Sequence, residues 1–370
     1  MNEDKSARYH RLRRRVSVAS TGAAALLLAV LILTGGSIAL RDTAARLGGG
    51  SFPLTIVVYV LLLALLSELA QLPFAFYQGV TLERRYGLST QTTGRWWVDR
   101  LKADGLGLLF AVAGAVILYA WLRWTPGLWW LLAAICFWLM LVLMAQLAPV
   151  LLLPLFYTFK PLDRPALAAR LVALAERAGA RVLGVFEWQL SDRTRKANAA
   201  LTGVGRTRRI LLSDTLLAEH SDDEIEVILA HELAHHVHHD IWKGMALEGV
   251  LLVAGFSLAD RVLSAAAGQS GFGAKDDVAM LPLLLLAGGA VSLGLLPVVN
   301  ALSRAHERRA DRYALEMTKN SAAFVTAMKR LGAQNLAEER PSRLVELLFY
   351  SHPPMATRVE AAQAWAGNHP

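Results

Sequence analysis

Long apolar runs alternate with polar, charged stretches along this chain, and these runs give its first predicted elements. Six of them reach or nearly reach the length of about 20 residues with which a helix crosses a bilayer core of about 30 Å. They cover residues 18–40, 54–77, 103–122, 128–156, 244–264 and 279–301. The pattern predicts a mainly α-helical, multi-pass membrane protein built on a bundle of about six spans. The first run is too long for the core of a signal peptide, so we interpret it as an anchor.

Basic residues are concentrated in two of the short polar segments, which predicts an orientation. They are Lys5, Arg8, Arg11, Arg13, Arg14 and Arg15 before the first span, and Arg84, Arg85, Arg95, Arg100 and Lys102 after the second. The positive-inside rule therefore places both segments on the cytoplasmic face, and six spans put both termini there as well. The predicted parts are a basic tail (1–17), a membrane part (18–157) with a basic cytoplasmic loop (78–102), a polar part (158–243), a second membrane part (244–302) and a second polar part (303–370).

The polar stretches carry the patterns of a small α+β domain. Residues 164–180 have helical spacing of Leu and Ala, and three short β-like runs follow at 185–190, 197–203 and 208–213. Ser221 and Glu224 form a capping-box signature for a helix that continues to about residue 239. Two further helices are predicted over 300–318 and 321–333.

Composition agrees with a membrane protein and excludes several other classes. Of 370 residues, 55% are hydrophobic and only 18% are charged, whereas soluble proteins carry roughly 25% charged residues. Intrinsic disorder is excluded by this apolar content, and a disulfide framework is excluded because Cys136 is the only cysteine. The formal net charge of +8 is explained by the loops that orient the spans, so we expect a lipid bilayer and no nucleic acid as partner.

The sequence HELAH at 231–235 carries the strongest chemical signal. Two histidines four residues apart lie on one face of a helix, where both imidazoles reach one tetrahedral zinc ion, and Glu232 lies beside them to take a proton from water. The alternative is a helix with several solvated histidines. We favour the zinc site for His231, Glu232 and His235, and solvation for the neighbouring His236, His238 and His239.

A catalytic zinc ion takes three protein ligands, and the third is expected from another helix. Glu307 is the best candidate, and Asp311, one turn later, is placed to accept a hydrogen bond from a ligating histidine. From spacing alone His306 competes with Glu307, and a carboxylate among arginines also suits a solvated helix. Two spans separate the histidines from Glu307, so all of these residues fall on the same side of the membrane.

Three motifs resemble those of the integral-membrane zinc endopeptidases, the family of the type I CAAX prenyl proteases and the heat-shock membrane metalloproteases. They are HELAHH at 231–236, SRAHERRAD at 303–311 and SHPPMATR at 351–358. The resemblance also includes segments 83–102, 152–162 and 196–217, and therefore covers most of the chain. The long N-terminal membrane half is closer to the CAAX prenyl protease branch. Eukaryotic members of that branch have seven spans against the six predicted here.

The resemblance implies a function for individual residues. One Zn²⁺ per chain is bound by His231, His235 and Glu307, with Asp311 in support. The implied catalytic residues are Glu232 as general base, His352 as a donor near the scissile carbonyl, and Arg358. Asn198 and Ala199 match the strand that pairs with the backbone of the substrate.

We therefore expect a membrane-embedded zinc metalloendopeptidase that acts at the cytoplasmic face of a bacterial cytoplasmic membrane. Its substrate is a peptide or protein that is lipid-modified or membrane-associated. Two alternatives stay open at this stage. One is a quality-control protease with loose specificity for membrane proteins, and the other is a zinc-stabilised scaffold or transporter without hydrolytic activity.

Glu68 is an ionisable residue inside the second predicted span, where a charge is costly. It either lines a water-filled chamber among the helices or pairs with Gln71 or a neighbouring helix. The sequence does not distinguish these two interpretations.

Overall fold

The computed structural model describes residues 4–203 and 207–368. Within them the helices are α1 Lys5–Leu33, α2 Gly36–Leu47, α3 Phe52–Phe76, α4 Glu83–Arg85, α5 Thr93–Trp124, α6 Trp129–Leu147, α7 Leu153–Phe156, α8 Pro165–Arg177, α9 Asp214–Glu219, α10 Asp222–Val237, α11 Asp240–Ala266, α12 Leu281–Thr318, α13 Ser321–Gln334, α14 Arg343–Phe349 and α15 Met355–Asn368. The strands are β1 Phe159–Pro161, β2 Val185–Trp188, β3 Ala199–Thr202 and β4 Arg209–Ser213. Short π-helical segments follow α3 and α6 at Tyr77–Leu82 and Ala148–Leu152.

Six long apolar helices confirm the predicted membrane part. They are α1, α3 with its continuation to Arg85, α5, α6 with its continuation to Phe156, α11, and the helix that contains α12. Each packs against the next in the order α1, α3, α5, α6, α11, α12, and α12 packs against α1, so the six helices form a ring. At the end away from the polar domain, Tyr59, Tyr119 and Trp129 are fully buried in an apolar cluster.

Two predicted boundaries differ from the structure. The first span was expected at 18–40, but α1 begins at Lys5 and ends at Leu33 because Gly35 adopts a left-handed conformation (φ 73°). Residues 5–17 of the predicted basic tail are thus the first turns of the same helix. The predicted loop 78–102 is also largely helical, since α5 begins at Thr93, where the Thr92 hydroxyl accepts a hydrogen bond from Arg95 N–H.

The sixth span and the predicted helix over 300–318 form one helix of 38 residues, α12. Composition changes from apolar to charged near residue 301, but the backbone continues through Pro297 without a break. The change in polarity marks where the helix leaves the apolar layer and not where it ends. Glu307 and Asp311 are consequently carried by the last membrane helix itself.

The small sheet confirms the three predicted strands and adds one. The strand order is β1-β2-β4-β3, with β2 and β4 parallel and the other two pairs antiparallel. Strand β1 was not predicted because its three residues directly follow the long apolar run of α6 and α7. Strand β3 is at the edge, and no further strand pairs with its outer side in the described parts of the chain.

One hydrophobic core unites the two polar stretches that flank α11 and α12. Leu171 of α8, Ile210 of β4, Leu229 of α10, Phe324 of α13 and Ala362 of α15 are all buried in it. Burial of a large apolar side chain stabilises the folded state by about 1.5–3 kcal/mol. Residues on both sides of the helical hairpin therefore form one domain on one face of the ring.

Glu68 on α3 forms an ion pair with Arg100 on α5, with the carboxylate oxygen 2.5 Å from the guanidinium. Gln71 is bonded to Ser20 of α1 instead. Of the two interpretations of Glu68, the structure shows the pairing with a neighbouring helix.

Candidate active site

Helix α10 presents His231 and His235 one turn apart on its inner face. Their imidazole planes are nearly perpendicular (86°), with ring centroids 5.1 Å apart. The helix begins at the predicted capping box, in which Ser221 N–H donates to Glu224 Oε2 at 2.8 Å and Glu224 N–H donates to the Ser221 hydroxyl at 3.3 Å. It ends at Val237, two residues before the predicted end, because His239 turns the chain with a φ of 55°.

Glu307 of α12 lies against both histidines. Its Oε2 is 3.2 Å from His231 Nε2, and its Oε1 is 3.4 Å from His235 Nε2. The residue is 6% exposed, and Oε2 has no hydrogen-bond partner among the described residues. A buried carboxylate with a free oxygen needs a cation close by.

The three side chains fit a tetrahedral metal ion. Each offers one ligand atom, and these atoms lie within 4.8 Å of one another. Bonds of about 2.0–2.1 Å at tetrahedral angles put two ligand atoms about 3.3 Å apart, which matches the separations of 3.2 and 3.4 Å between the Glu307 carboxylate and the two histidine Nε2 atoms. Two imidazoles and one carboxylate are also ligands typical of catalytic zinc. His306, the competing candidate, points elsewhere, with its Nδ1 3.9 Å from Asp240 Oδ1.

A carboxylate lies behind each histidine. Asp311 Oδ1 is 2.9 Å from His231 Nδ1, as predicted for this residue. Asp240 Oδ2 is 3.1 Å from His235 Nδ1, a contact that was not predicted from the sequence. Its only signal in the sequence is an acidic residue directly after the histidine-rich run. Such carboxylates orient metal-binding histidines and raise their basicity.

The carboxylates of Glu307 and Asp311 lie at the two ring nitrogens of His231. Burial alone would favour the neutral imidazole, but the adjacent carboxylates of Asp311 and Glu307 outweigh it and raise the pKa of His231 to about 9. Arg358, 7% exposed, donates to both oxygens of Asp311 at 2.8 and 2.5 Å, and its Nη2 is 3.4 Å from His231 Nδ1. Arg358 therefore lies on the far side of His231 from Glu307.

Glu232 lies beside the metal-ligand candidates and lines a cavity of about 330 Å³. The cavity separates α10 from the end of β3 and from the start of α11, and Leu201, Trp242 and Met245 contribute to its wall. Burial raises the pKa of the Glu232 carboxyl, which makes its ionised form a better proton acceptor.

His352 reaches the same carboxylate from the C-terminal part of the chain. Its Nε2 is 3.4 Å from Glu307 Oε1, and its side chain is 60% exposed. Ser351 Oγ lies 3.0 Å from its Nδ1. The two prolines that follow are buried, so the chain turns into the domain directly after the exposed imidazole.

The remaining predicted residues, Asn198 and Ala199, are at the edge strand. Asn198 bonds to Ser213 of β4 through its backbone N–H and C=O, each at 2.9 Å. Backbone groups alternate in direction along a strand, so those of Ala199 and Leu201 point to the outer edge. On that edge the groups of Ala197 are already bonded to the Asn335 side chain.

Comparison with known proteins assigns the chain to a family. A model described as peptidase family M48 matches residues 161–366. The chain belongs to peptidase family M48. Another model, described as the CAAX prenyl protease N-terminal region with five membrane helices, matches residues 2–158, which contain four of the candidate spans and α2. This M48 protein is thus a multi-pass membrane metalloprotease that resembles the CAAX prenyl proteases.

Several relatives match most of this chain. An uncharacterized metalloprotease of Bacillus subtilis, YhfN, is 32% identical, and the match covers 83% of this chain and 73% of YhfN. CAAX prenyl protease 1 of Saccharomyces cerevisiae is 29% identical over 81% of this chain and 70% of its own. The crystal structure of S. mikatae Ste24p superposes with a TM-score of 0.85 at 25% identity, and covers 97% of this chain and 87% of that protein.

Proposed function

We propose that this M48 metalloprotease is a zinc endopeptidase that hydrolyses peptide bonds of membrane-associated substrates at the cytoplasmic face. One observation carries the proposal. The candidate ligand atoms of His231, His235 and Glu307 lie within 4.8 Å of one another, with the Glu307 carboxylate 3.2 and 3.4 Å from the two Nε2 atoms, and Glu232 lines the adjacent cavity. A non-catalytic zinc scaffold gives no role to Glu232.

His231, His235 and Glu307 would hold the zinc ion, while Asp311 and Asp240 fix the orientation of the two imidazoles. When bound, zinc supplies Lewis-acid chemistry toward water and toward the substrate carbonyl. Arg358 contacts Asp311 and not the open side of the site, so we assign it the role of holding that carboxylate in place.

The proton transfers belong to Glu232. Its carboxylate takes a proton from water as the oxygen attacks the carbonyl carbon, and it then passes the proton to the amine nitrogen as the C–N bond breaks. The oxygen of the water thus ends in the new carboxylate, and its proton ends on the new amine. His352, near Glu307 and exposed to solvent, donates a hydrogen bond to the carbonyl oxygen as negative charge develops.

The substrate backbone would pair with the outer edge of β3 at Ala199 and Leu201. Such pairing places an extended peptide next to Glu232, because the end of β3 and Glu232 line the same cavity. The cavity also meets Pro149 and Met245, which belong to segments that continue the membrane helices. This location supports a substrate that approaches along the bilayer, such as the lipid-modified C-terminus on which CAAX prenyl proteases act.

A quality-control protease is the second candidate, and the edge strand favours it. Strand pairing recognises backbone groups and tolerates many side chains. Hydrolysis of a farnesylated C-a-a-X peptide, compared with an unprenylated unfolded polypeptide, separates the two functions. Preference for the farnesylated peptide supports the CAAX type, and equal cleavage supports quality control.

The general base is tested with Glu232→Gln in the full-length protein in proteoliposomes. We expect kcat to fall by roughly 10²–10⁴-fold, because the amide cannot take a proton, while zinc content stays at one per chain. Zinc is measured by atomic emission on the same preparation. Full activity in this variant would contradict the mechanism.

A further inference from the structure

The segment that carries His352 forms neither helix nor strand. Residues 350–354 lie between the end of α14 and the start of α15. Among the described residues the His352 side chain makes two polar contacts, to Ser351 and Glu307, and it is 60% exposed. Its position is therefore set mainly by the backbone that carries it.

Two buried side chains of α12 hold that backbone. Arg304 Nη1 donates to Tyr350 O at 2.6 Å and to Glu346 O at 2.9 Å. Asn300 Nδ2 donates to Leu348 O at 2.9 Å. The bond to Tyr350 O is two residues from His352.

These contacts satisfy the C-terminal end of α14. The last carbonyl groups of a helix have no partner within it, and a positive charge there also interacts favourably with the helix dipole. Arg304 and Asn300 are each only 7% exposed, although their polar groups are costly to bury. Their burial beside these carbonyls identifies them as a cap supplied by another helix.

The same face of α12 carries the third ligand candidate. Asn300, Arg304, Glu307 and Asp311 follow one another at intervals of four, three and four residues, and all four are buried. Since one rigid helix carries both the cap and Glu307, the distance between His352 and Glu307 is fixed through a single element.

A side-chain cluster gives the segment a second attachment. Tyr350 OH donates to Glu338 Oε2 at 2.5 Å, and Arg14 of α1 donates to the same oxygen at 2.5 Å. The tyrosine is thus held through its hydroxyl on one side and through its carbonyl on the other.

We propose that Arg304, assisted by Asn300, is a positioning residue that sets the location of His352 for peptide hydrolysis. The proposal rests on the proposed function in that His352 acts on the substrate carbonyl. Arg304 itself contacts neither the metal-ligand atoms nor the cavity beside Glu232. Its loss should therefore impair the catalytic step and leave zinc and substrate binding unchanged.

Kinetics of the full-length protein in proteoliposomes test the proposal with a fluorescence-quenched farnesylated C-a-a-X peptide. Arg304→Met should lower kcat by roughly 10–100-fold with KM within about twofold, since one oxyanion donor contributes about 10²–10³. Arg304→Lys, which keeps the charge and one bond, should recover part of the loss. Arg308→Met is the matched control, because Arg308 is exposed on the same helix, and it should behave as the unaltered protein.

A double variant separates positioning from a general structural defect. His352→Ala and Arg304→Met should together lower kcat no further than the more severe single change, because both act through the same imidazole. Additive losses would overturn the proposal. If Arg304→Met does not accumulate in membranes, Asn300→Ala decides: a kcat loss of at least about threefold at constant KM supports the proposal, and full activity overturns it.

Hydrogen exchange gives a readout that does not depend on hydrolysis. Arg304→Met should accelerate amide exchange in residues 347–352, with zinc content and exchange in α10 unchanged. If the unaltered protein cleaves no peptide, the proposed function fails, while faster exchange still supports the positioning role. Unchanged exchange in this segment would overturn the positioning role whatever the activity.

Discussion

The buried carboxylate of Glu307 is close to three histidines at once. Its two oxygens lie within 3.4 Å of the Nε2 atoms of His231, His235 and His352. Its neighbour His306 differs only by one position on the helix, yet it faces Asp240. The helical rotation of about 100° per residue thus decides which of the two side chains enters the site.

Replacement of these neighbours tests the ligand set. Glu307→Ala should abolish stoichiometric zinc and hydrolysis together, because two imidazoles alone leave the ion without its third ligand. His306→Ala is the matched control and should keep one zinc per chain. The measurement is metal content after dialysis against a weak chelator, and retention of zinc by Glu307→Ala would exclude this carboxylate as a ligand.

The sequence named His231, Glu232, His235, Glu307 and Asp311 as candidates, the first three from the spacing of HELAH and the last two from helical spacing together with the resemblance of SRAHERRAD to a known motif. It could not predict Asp240, Asn300 and Arg304. Each of these acts on a partner in another element, and periodicity within one helix holds no information about such contacts. The choice between His306 and Glu307 likewise depended on how α10 packs against α12.

At the scale of elements, the sequence predicted those helices and strands whose formation depends on neighbouring residues. The helix over 164–180, the three strands and the capping box at Ser221 all follow from neighbouring residues. The length of α12 does not, because the change from apolar to charged residues at about 301 looks like a boundary while the helix continues to Thr318. Strand β1 was missed since three residues next to a span carry too little pattern.

The capping box gives a test of how α10 is stabilised. Burial alone would raise the pKa of Glu224, but its hydrogen bond from Ser221 N–H and the nearby Arg330 lower it below its usual value. An acid with a lowered pKa stabilises the folded state above its unfolded pKa of about 4.3, and the contribution is lost as pH falls through the folded pKa. Glu224→Gln should therefore lower Tm at pH 7, with a difference that closes below about pH 4.

Thermal unfolding in detergent micelles measures this difference. Exposed Glu316 on α12 supplies the control, and Glu316→Gln should leave Tm unchanged at both pH values. A Tm difference for Glu224→Gln that persists unchanged from pH 7 down to about pH 3 would show that the carboxylate does not act through its charge.

At the scale of the whole molecule, the two spans between α10 and the end of α12 keep the residues of the candidate site on one face. The helical hairpin α11–α12 leaves and re-enters the same face, so α10 and the end of α12 share one hydrophobic core. This arrangement followed from the sequence by counting spans. The ring arrangement did not, because the order of helices around it depends on contacts between remote segments such as α1 and α12.

Labelling of single cysteines tests the proposed orientation. In a Cys136→Ala background, Arg340→Cys lies in the polar domain, and Gln269→Cys lies in the exposed turn between α11 and α12. We expect a membrane-impermeant maleimide to label Gln269→Cys in intact cells and Arg340→Cys only after permeabilisation. The opposite pattern would place the site outside the cytoplasm.

Because α12 is continuous, the position of Glu307 depends on the thickness of the membrane. Its 38 residues span about 57 Å, of which the apolar residues 281–299 account for about 28 Å. A bilayer thinner or thicker than this apolar part makes the helix tilt or shift, and Glu307, two turns beyond it, moves relative to the histidines of α10. Hydrolysis should therefore peak in liposomes whose hydrocarbon layer is about 28–30 Å and fall on either side. Acyl-chain length, which touches no catalytic group, would then act as a regulator of this protease.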